Sequence, residues 1–280
     1  MSSRSGLAAI ARARLGYHDL VSSFGAQLLS EARIRGERLA ELPALARPLT
    51  TEQAYCCQEI LVHRLLEHYG GPAIGYKVAC TNPIAQRQLN VDGPFYGHLL
   101  GTFCYESPAR VPAAQFVERI IEAEFAFCMA RDLPPVATPR QRDEVASAVE
   151  GVLPGIEIVD SRFESWTTMG APSLIADNAC NAAWVRGPLM KDWRGLDLAA
   201  QPVRLTVNGS VARQGAGSAV LGHPLNALLW LVNTLSSRGV GLQAGQYITT
   251  GVTTEVYWAE RGDRITADFG AVGTAELTFE

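Results

Sequence analysis

The stretch Phe116-Val-Glu-Arg-Ile-Ile-Glu-Ala-Glu-Phe-Ala-Phe-Cys-Met129 decides how this chain is read. Taken as a β-strand, it places Ile121, Ala123, Phe125, Phe127 and Met129 on one face, all apolar. The other face carries Glu122 and Glu124 side by side, with Ala126 and Cys128 beyond. Two like charges on a half-buried strand repel each other and lose hydration. A divalent cation would remove both penalties, and hard carboxylate oxygens suit Mg²⁺ or Mn²⁺. The alternative is a strand with one face in solvent, where two glutamates need no partner.

Two more stretches share this pattern. Pro154-Gly-Ile-Glu-Ile-Val159 is an apolar strand broken by one acid, Glu157. Ile74-Gly-Tyr-Lys-Val-Ala79 is an apolar strand holding one cation, Lys77. Each could again be an exposed position on a half-buried strand. Three acids isolated within two apolar strands would nevertheless make a site that leaves metal positions open for substrate and water. Of the 24 basic residues only Lys77 and Lys191 are lysine. Base composition explains that bias, yet a buried lysine can be tuned to move a proton and an arginine cannot.

Composition bounds the rest. The 280 residues are 48% apolar and 19% charged, which provides a substantial core without disulfide staples. A net charge of −4, spread along the chain, argues against nucleic acid as a partner. Apolar runs such as Ala227 to Val232 are far too short to span a bilayer, so a soluble protein with no membrane partner is expected. Cys56, Cys57, Cys80, Cys104, Cys128 and Cys180 form no CxxC pair and read as small hydrophobes in a reducing compartment. The N-terminus carries Arg4, Arg12 and Arg14 but no secretory apolar stretch, so the expected location is cytoplasmic. No Gly–Lys pair occurs, which excludes a P-loop, and no G-x-S-x-G elbow is present. Gly215-Ala-Gly217 lacks the third glycine of a dinucleotide fingerprint, and no His-x-x-x-His pair supports a zinc site.

The element pattern is α+β. Val21 to Leu39 reads as a helix ended by Pro43, and Thr50 with Gln53 caps a second that stops at Gly70-Gly71. Asn82-Pro83 starts a short helix, and Arg140 to Glu150 and Pro224 to Ser237 read as two more. The expected layout is a helical N-terminal layer, 1–71, on a strand-rich body, 72–280.

Several motifs taken together resemble the 2-keto-4-pentenoate hydratase and 4-oxalocrotonate decarboxylase branch of the fumarylacetoacetate hydrolase superfamily. They are Gly75-Tyr-Lys-Val78, Gln88-Leu-Asn-Val-Asp-Gly-Pro94, Glu122-Ala-Glu-Phe-Ala-Phe127 and Gly155-Ile-Glu-Ile-Val-Asp-Ser-Arg162. Ile175-Ala-Asp-Asn-Ala179, Leu221-Gly-His-Pro-Leu-Asn-Ala227, Thr249-Thr-Gly251 and the Arg261-Gly-Asp263 to Gly273 region follow in order. The resemblance implies one fumarylacetoacetase-like domain over 1–280, a mixed β-roll with outer helices, and homo-oligomers. It implies that Glu122, Glu124 and Glu157 hold Mg²⁺ or Mn²⁺, that Lys77 is the catalytic lysine, and that Ser161, Thr250 and Gly251 line the substrate pocket. The implied activity is a metal-dependent lyase, a hydratase of a small 2-hydroxy-2,4-dienoate or 2-oxo acid in aromatic-compound catabolism. Decarboxylation, acylpyruvate hydrolysis, or binding of a 2-oxo acid without turnover are the alternatives.

One departure stands out. The family's Pro-Asp-Phe-Gly is here Pro94-Phe95-Tyr96-Gly97, and a second family acid is Thr102. If that aspartate assists the lysine, this chain needs another group, such as water, His98 or Tyr96. His223, in the Gly-His-Pro turn, reads as a helix-start residue rather than a catalyst.

Overall fold

The computed structural model describes residues 19–280; Arg4, Arg12 and Arg14 lie outside the described residues. The chain opens with two helices, α1 (Asp19–Arg35) and α2 (Thr51–Tyr69). The Thr50 side chain accepts from the Gln53 N–H and Gly70 closes the helix, as the capping signal predicts. α1 ends earlier than expected: the chain turns left-handed at Gly36 (φ +66°), and the Glu37 N–H returns to Ala32 O at 2.8 Å. Gly36, not Pro43, is therefore the stop.

Strands and short helices then alternate. They are β1 (Ala73–Ala79), α3 (Pro83–Leu89), β2 (Phe95–Leu100), β3 (Cys104–Glu106), β4 (Ala109–Val111) and β5 (Ile120–Met129). After these come α4 (Arg142–Ser147), β6 (Val149–Val159), α5 (Gly170–Ala176), β7 (Asn181–Arg186), β8 (Pro202–Val207) and β9 (Ser210–Ala216). α6 (Pro224–Ser237), β10 (Tyr247–Thr249), β11 (Tyr257–Trp258), β12 (Arg264–Asp268) and β13 (Thr274–Phe279) complete the chain. The helix expected over Arg140 to Glu150 keeps only its middle. Val149 pairs with Met129 and begins β6, because the run from Val149 onward is apolar enough to enter the sheet.

The strands form two mixed sheets. One runs β2-β1-β10-β5-β6-β7-β3 with β11 paired to β5, and the other β4-β13-β12-β8-β9. Ile121, Ala123, Phe125 and Phe127 of β5 share a continuous core with Leu205, Ile265, Ala275 and Leu277 of the smaller sheet. The Phe125 and Phe269 rings meet edge to face at 4.8 Å within it. The opposite face of β5 and β6 packs Ala126, Cys128 and Leu153 with Leu99 and Trp184. α1 and α2 are joined to the body by a further cluster, in which Leu29, Leu61 and Leu65 meet Leu100 and Ala176. Among the described residues no helix is long and apolar enough to cross a membrane.

Candidate metal centre and active site

Strand register brings the isolated charges together. Glu122 of β5 lies directly opposite Glu157 of β6, and Glu124 follows Glu122 by two residues on the same face. One carboxylate oxygen from each of the three falls within 4.8 Å of the others. Glu124 and Glu157 are both 0% exposed, while Glu122 is half-buried. The exposed-face alternative is thereby overturned for all but the rim of the cluster. At such separations each like-charge pair costs on the order of 3 kcal/mol at an effective dielectric near 20. Like charges opposed across a strand pair are destabilising.

Lys77 reaches the cluster from β1. Its Nζ lies 2.9 Å from Glu157 Oε1 and donates to Ala179 O at 3.0 Å, and the residue is 1% exposed. Burial alone would lower the lysine pKa, but the fields of Glu157, Glu122 and Glu124 outweigh it and raise the value. Burial likewise pushes Glu122 up to about 7, with Lys77 pulling down and Glu157 pushing further up. Glu124 is raised well above the usual carboxyl range by burial and then by Glu157 and Glu122. These three acids and one lysine make an unbalanced buried cluster that a divalent cation would neutralise.

The hydrogen bonds say which oxygens are spoken for. Glu157 Oε1 accepts from Lys77 Nζ and from Asn181 Nδ2 at 3.0 Å, while Oε2 is buried without a partner. Glu124 Oε2 accepts from the Gly251 N–H at 2.9 Å, while Oε1 is likewise buried and partnerless. A buried carboxylate oxygen without a donor is rare and needs an explanation. Two such oxygens beside Glu122 fit a hard divalent cation, since the donor set is all oxygen.

Gly251 holds this geometry because no other residue fits. Its φ is +99°, and a Cβ there would stand 1.9 Å from Thr81 Oγ1. The neighbouring Thr250 N–H and Oγ1 both donate to Phe125 O, at 3.1 and 2.9 Å, tying this turn to β5. Ser161 is fully buried beyond the end of β6. Its Oγ donates to Asp177 Oδ2 (2.8 Å) and accepts from the Phe163 N–H (3.2 Å), so its hydroxyl is engaged by the fold. Burial raises Asp177 to about 6 despite Arg162 nearby.

The substitutes considered for the missing aspartate fare differently. Register puts Gly97 opposite Lys77 and Phe95 opposite Ala79, so Phe95 points to the same side as Lys77. Tyr96 and His98 point to the other side, where they pack with Tyr76 at 5.7 and 4.9 Å between ring centroids. Neither side chain therefore faces Lys77. Burial lowers His98 to about 4, so it stays neutral at pH 7. His223 does what its turn predicts: its Nδ1 accepts from the Leu225 N–H at 3.0 Å and caps α6. Asn181 and the Ala179 carbonyl were not marked by sequence. The available signal for Asn181 was the same as for Glu157, a polar residue at the start of the apolar run Asn181-Ala-Ala-Trp-Val185.

Comparison with known proteins places the chain in a family. The model of the fumarylacetoacetate (FAA) hydrolase C-terminal family matches residues 95–280, which include all three glutamates and Gly251. The 2-hydroxyhexa-2,4-dienoate hydratase of Comamonas testosteroni is 37% identical over 258 residues, covering 90% of this chain and 95% of that protein. The 2-keto-4-pentenoate hydratase of Paraburkholderia xenovorans (strain LB400) is 33% identical, covering 91% and 93% respectively. The structure of 4-oxalocrotonate decarboxylase from Pseudomonas putida G7, complexed with magnesium and adipate, superposes with a TM-score of 0.86 at 28% identity. It covers 95% of this chain and 99% of that one. With a family model over most of its length and relatives matched nearly end to end, the chain belongs to the fumarylacetoacetate hydrolase family.

Proposed function

We propose that this protein is a divalent-metal-dependent lyase, a hydratase acting on a small 2-hydroxy-2,4-dienoate or its 2-oxo tautomer. The observation that carries the reading is that Glu124 and Glu157 each keep one buried oxygen without a donor, within the cluster that they form with Glu122. The names of the hydratase relatives, at 33–37% identity, support the same reaction class. Glu122, Glu124 and Glu157 would hold Mg²⁺ or Mn²⁺. When bound, the cation supplies Lewis acidity to the carboxylate and 2-oxygen of the substrate.

The chain's own groups do the rest. Gly251 N–H holds Glu124 Oε2, and Lys77 with Asn181 holds Glu157 Oε1, so each buried ligand presents its other oxygen. Lys77 Nζ, a protonated group beside the cluster, gives a proton to the substrate carbon as the dienol becomes a conjugated 2-oxo acid. The 2-hydroxyl proton leaves to solvent, and solvent returns a proton to Lys77. Water then adds across the new double bond, its hydroxyl to C4 and its proton to C3. Thr250 and Gly251 form a substrate wall against β5, and Ser161 supports that pocket through Asp177. Phe95 presents an apolar ring where the family motif has an acid, which leaves Lys77 to act with water.

A second reading, decarboxylation of an oxalocrotonate-type acid, is favoured by the structural match to the Pseudomonas putida G7 enzyme. The chain forms one domain over 1–280 whose large sheet is rolled, a reading supported by Leu99 of β2 packing with Trp184 of β7. Homo-oligomeric assembly rests on the family resemblance. The test of function is a screen of 2-hydroxydienoates, oxalocrotonates and acylpyruvates with Mg²⁺ or Mn²⁺. Loss of dienol absorbance without CO₂ release supports the hydratase; CO₂ release supports the decarboxylase; C–C cleavage products or no turnover on any of them contradict both.

A further inference from the structure

The segment joining Lys77 to Glu157 is held from behind by an arginine of the N-terminal helical layer. Residues 178–180 run through three consecutive left-handed positions, Asn178 (φ 50°), Ala179 (φ 52°) and Cys180 (φ 59°). Non-glycine residues seldom adopt this conformation, and three in a row persist only where surrounding contacts impose it. The turn delivers Ala179 O to Lys77 Nζ. The chain then enters β7 through a bulge: Ala183 pairs with Ile158 but Asn181 pairs with Val159, so Ala182 is the extra residue. A bulge re-aims the side chain beside it, and here Asn181 Nδ2 meets Glu157 Oε1 at 3.0 Å.

Arg33 of α1 clasps this bulge. Its Nη1 donates to Asn181 O at 3.0 Å and its Nη2 to Ala182 O at 2.9 Å, a two-pronged contact across 148 residues of sequence. A guanidinium fork fixes two successive carbonyls in a way that a lysine ammonium cannot. Further contacts brace the same region: the Phe103 ring lies 5.7 Å from the Arg33 guanidinium carbon, and Asn178 exchanges hydrogen bonds with the His98 backbone. Neither is aimed at Asn181.

We propose that Arg33 is a positioning residue of the metal centre: by fixing the β7 bulge it holds Asn181 against Glu157 Oε1 and leaves Glu157 Oε2 free for the cation. The proposal rests on the metal-centre reading above and extends it to the helical layer, which lies outside residues 95–280 of the family match. It makes α1 part of the active site rather than a cover on the sheet.

The test is metal affinity, read without turnover, by calorimetric titration of Mn²⁺ into the full chain. Arg33→Met is expected to weaken binding about 10- to 100-fold, the usual effect of losing a partner that orients a ligand. Arg33→Lys should recover only part of it. Asn181→Ala should weaken binding to a similar degree, and Arg33→Met combined with Asn181→Ala no further than Asn181→Ala alone. Arg35→Ala, an exposed residue on the same helix, should bind as the parent does. If Arg33→Met does not fold, Arg33→Lys and its combination with Asn181→Ala carry the same comparison. Affinity unchanged in the Arg33 variants, or losses that simply add to that of Asn181→Ala, would overturn the positioning role. A parent chain that binds no Mn²⁺ would instead overturn the metal-centre reading, and the positioning role with it.

Discussion

In the five-stranded sheet, β8 and β13 alternate between exposed and buried residues, so Arg204, Thr274 and Glu276 sit in solvent while Val203, Ala275 and Leu277 face the core. In the eight-stranded sheet, β5 and β6 are buried along almost their whole length on both faces. A charge on the first sheet needs no explanation, because water solvates it. A charge on the second must be matched by something inside the protein. Lys77, Glu124 and Glu157 meet that demand only in part, since Lys77 supplies one positive charge to three acids. The imbalance on the doubly buried sheet marks the site; the sequence motif alone could not, since the same residue types stand harmlessly on the other sheet.

The sharpest break of this contrast is Lys77→Ala. Turnover should fall by about 10²- to 10⁴-fold, the range for a lost proton-transfer group. Mg²⁺ affinity should change far less, because losing the contact to Glu157 Oε1 is offset by removing a positive charge beside the cation site; steady-state kinetics beside calorimetry separate the two. Glu124→Gln comes next. It should weaken Mg²⁺ binding by roughly 100-fold or more, beyond the loss for a group that only orients a ligand. It should also leave the metal-free protein as stable as the parent or more so, because Gln removes the cost of either protonating or charging a buried acid. Thermal melts with EDTA and with Mg²⁺ read both effects.

A pH series tests the same imbalance with smaller shifts. Glu122 titrates near 7 in the folded chain, and Glu124 is also raised. Unfolded, both ionise near the ordinary glutamate value. Above that value the native state holds protons that the unfolded state has released, so stability falls as pH rises toward and through 7. His98, lowered to about 4, acts in the opposite sense, but only below its unfolded value near 6.5. In EDTA, melting temperature should therefore drop by roughly 2–5 °C between pH 6.5 and 8. With Mg²⁺ the drop should vanish, because the cation binds the deprotonated ligands. The smallest effect belongs to the other sheet: Glu276→Ala should change stability by less than about 0.5 kcal/mol, with Mg²⁺ affinity untouched.

What could be read from sequence follows from how local each feature is. The two faces of β5, the Thr50 and Asn82 caps and the limits of α6 depend on neighbours a few residues away, and the structure has them where the pattern puts them. The end of α1 at Gly36 is equally local, but Glu37-Arg-Leu-Ala-Glu-Leu42 beyond it keeps a helix-favouring composition that masks the stop. Strand register is not local, and it decides that Tyr96 and His98 turn away from Lys77 although they sit beside Gly97. The bulge at Ala182, and the Arg33 fork on it, join parts of the chain that no short window contains. Ser161 shows a further limit: its position was marked, but only the fold reveals that its hydroxyl is taken by Asp177.

The most direct test of the central claim is a crystal structure of the chain grown with Mn²⁺, with the ion located by anomalous scattering. One strong peak is expected among Glu122, Glu124 Oε1 and Glu157 Oε2, with Glu124 Oε2 still on the Gly251 N–H and Glu157 Oε1 still on Lys77. No peak there, or an ion bound elsewhere while Lys77 alone neutralises the glutamates, would contradict it.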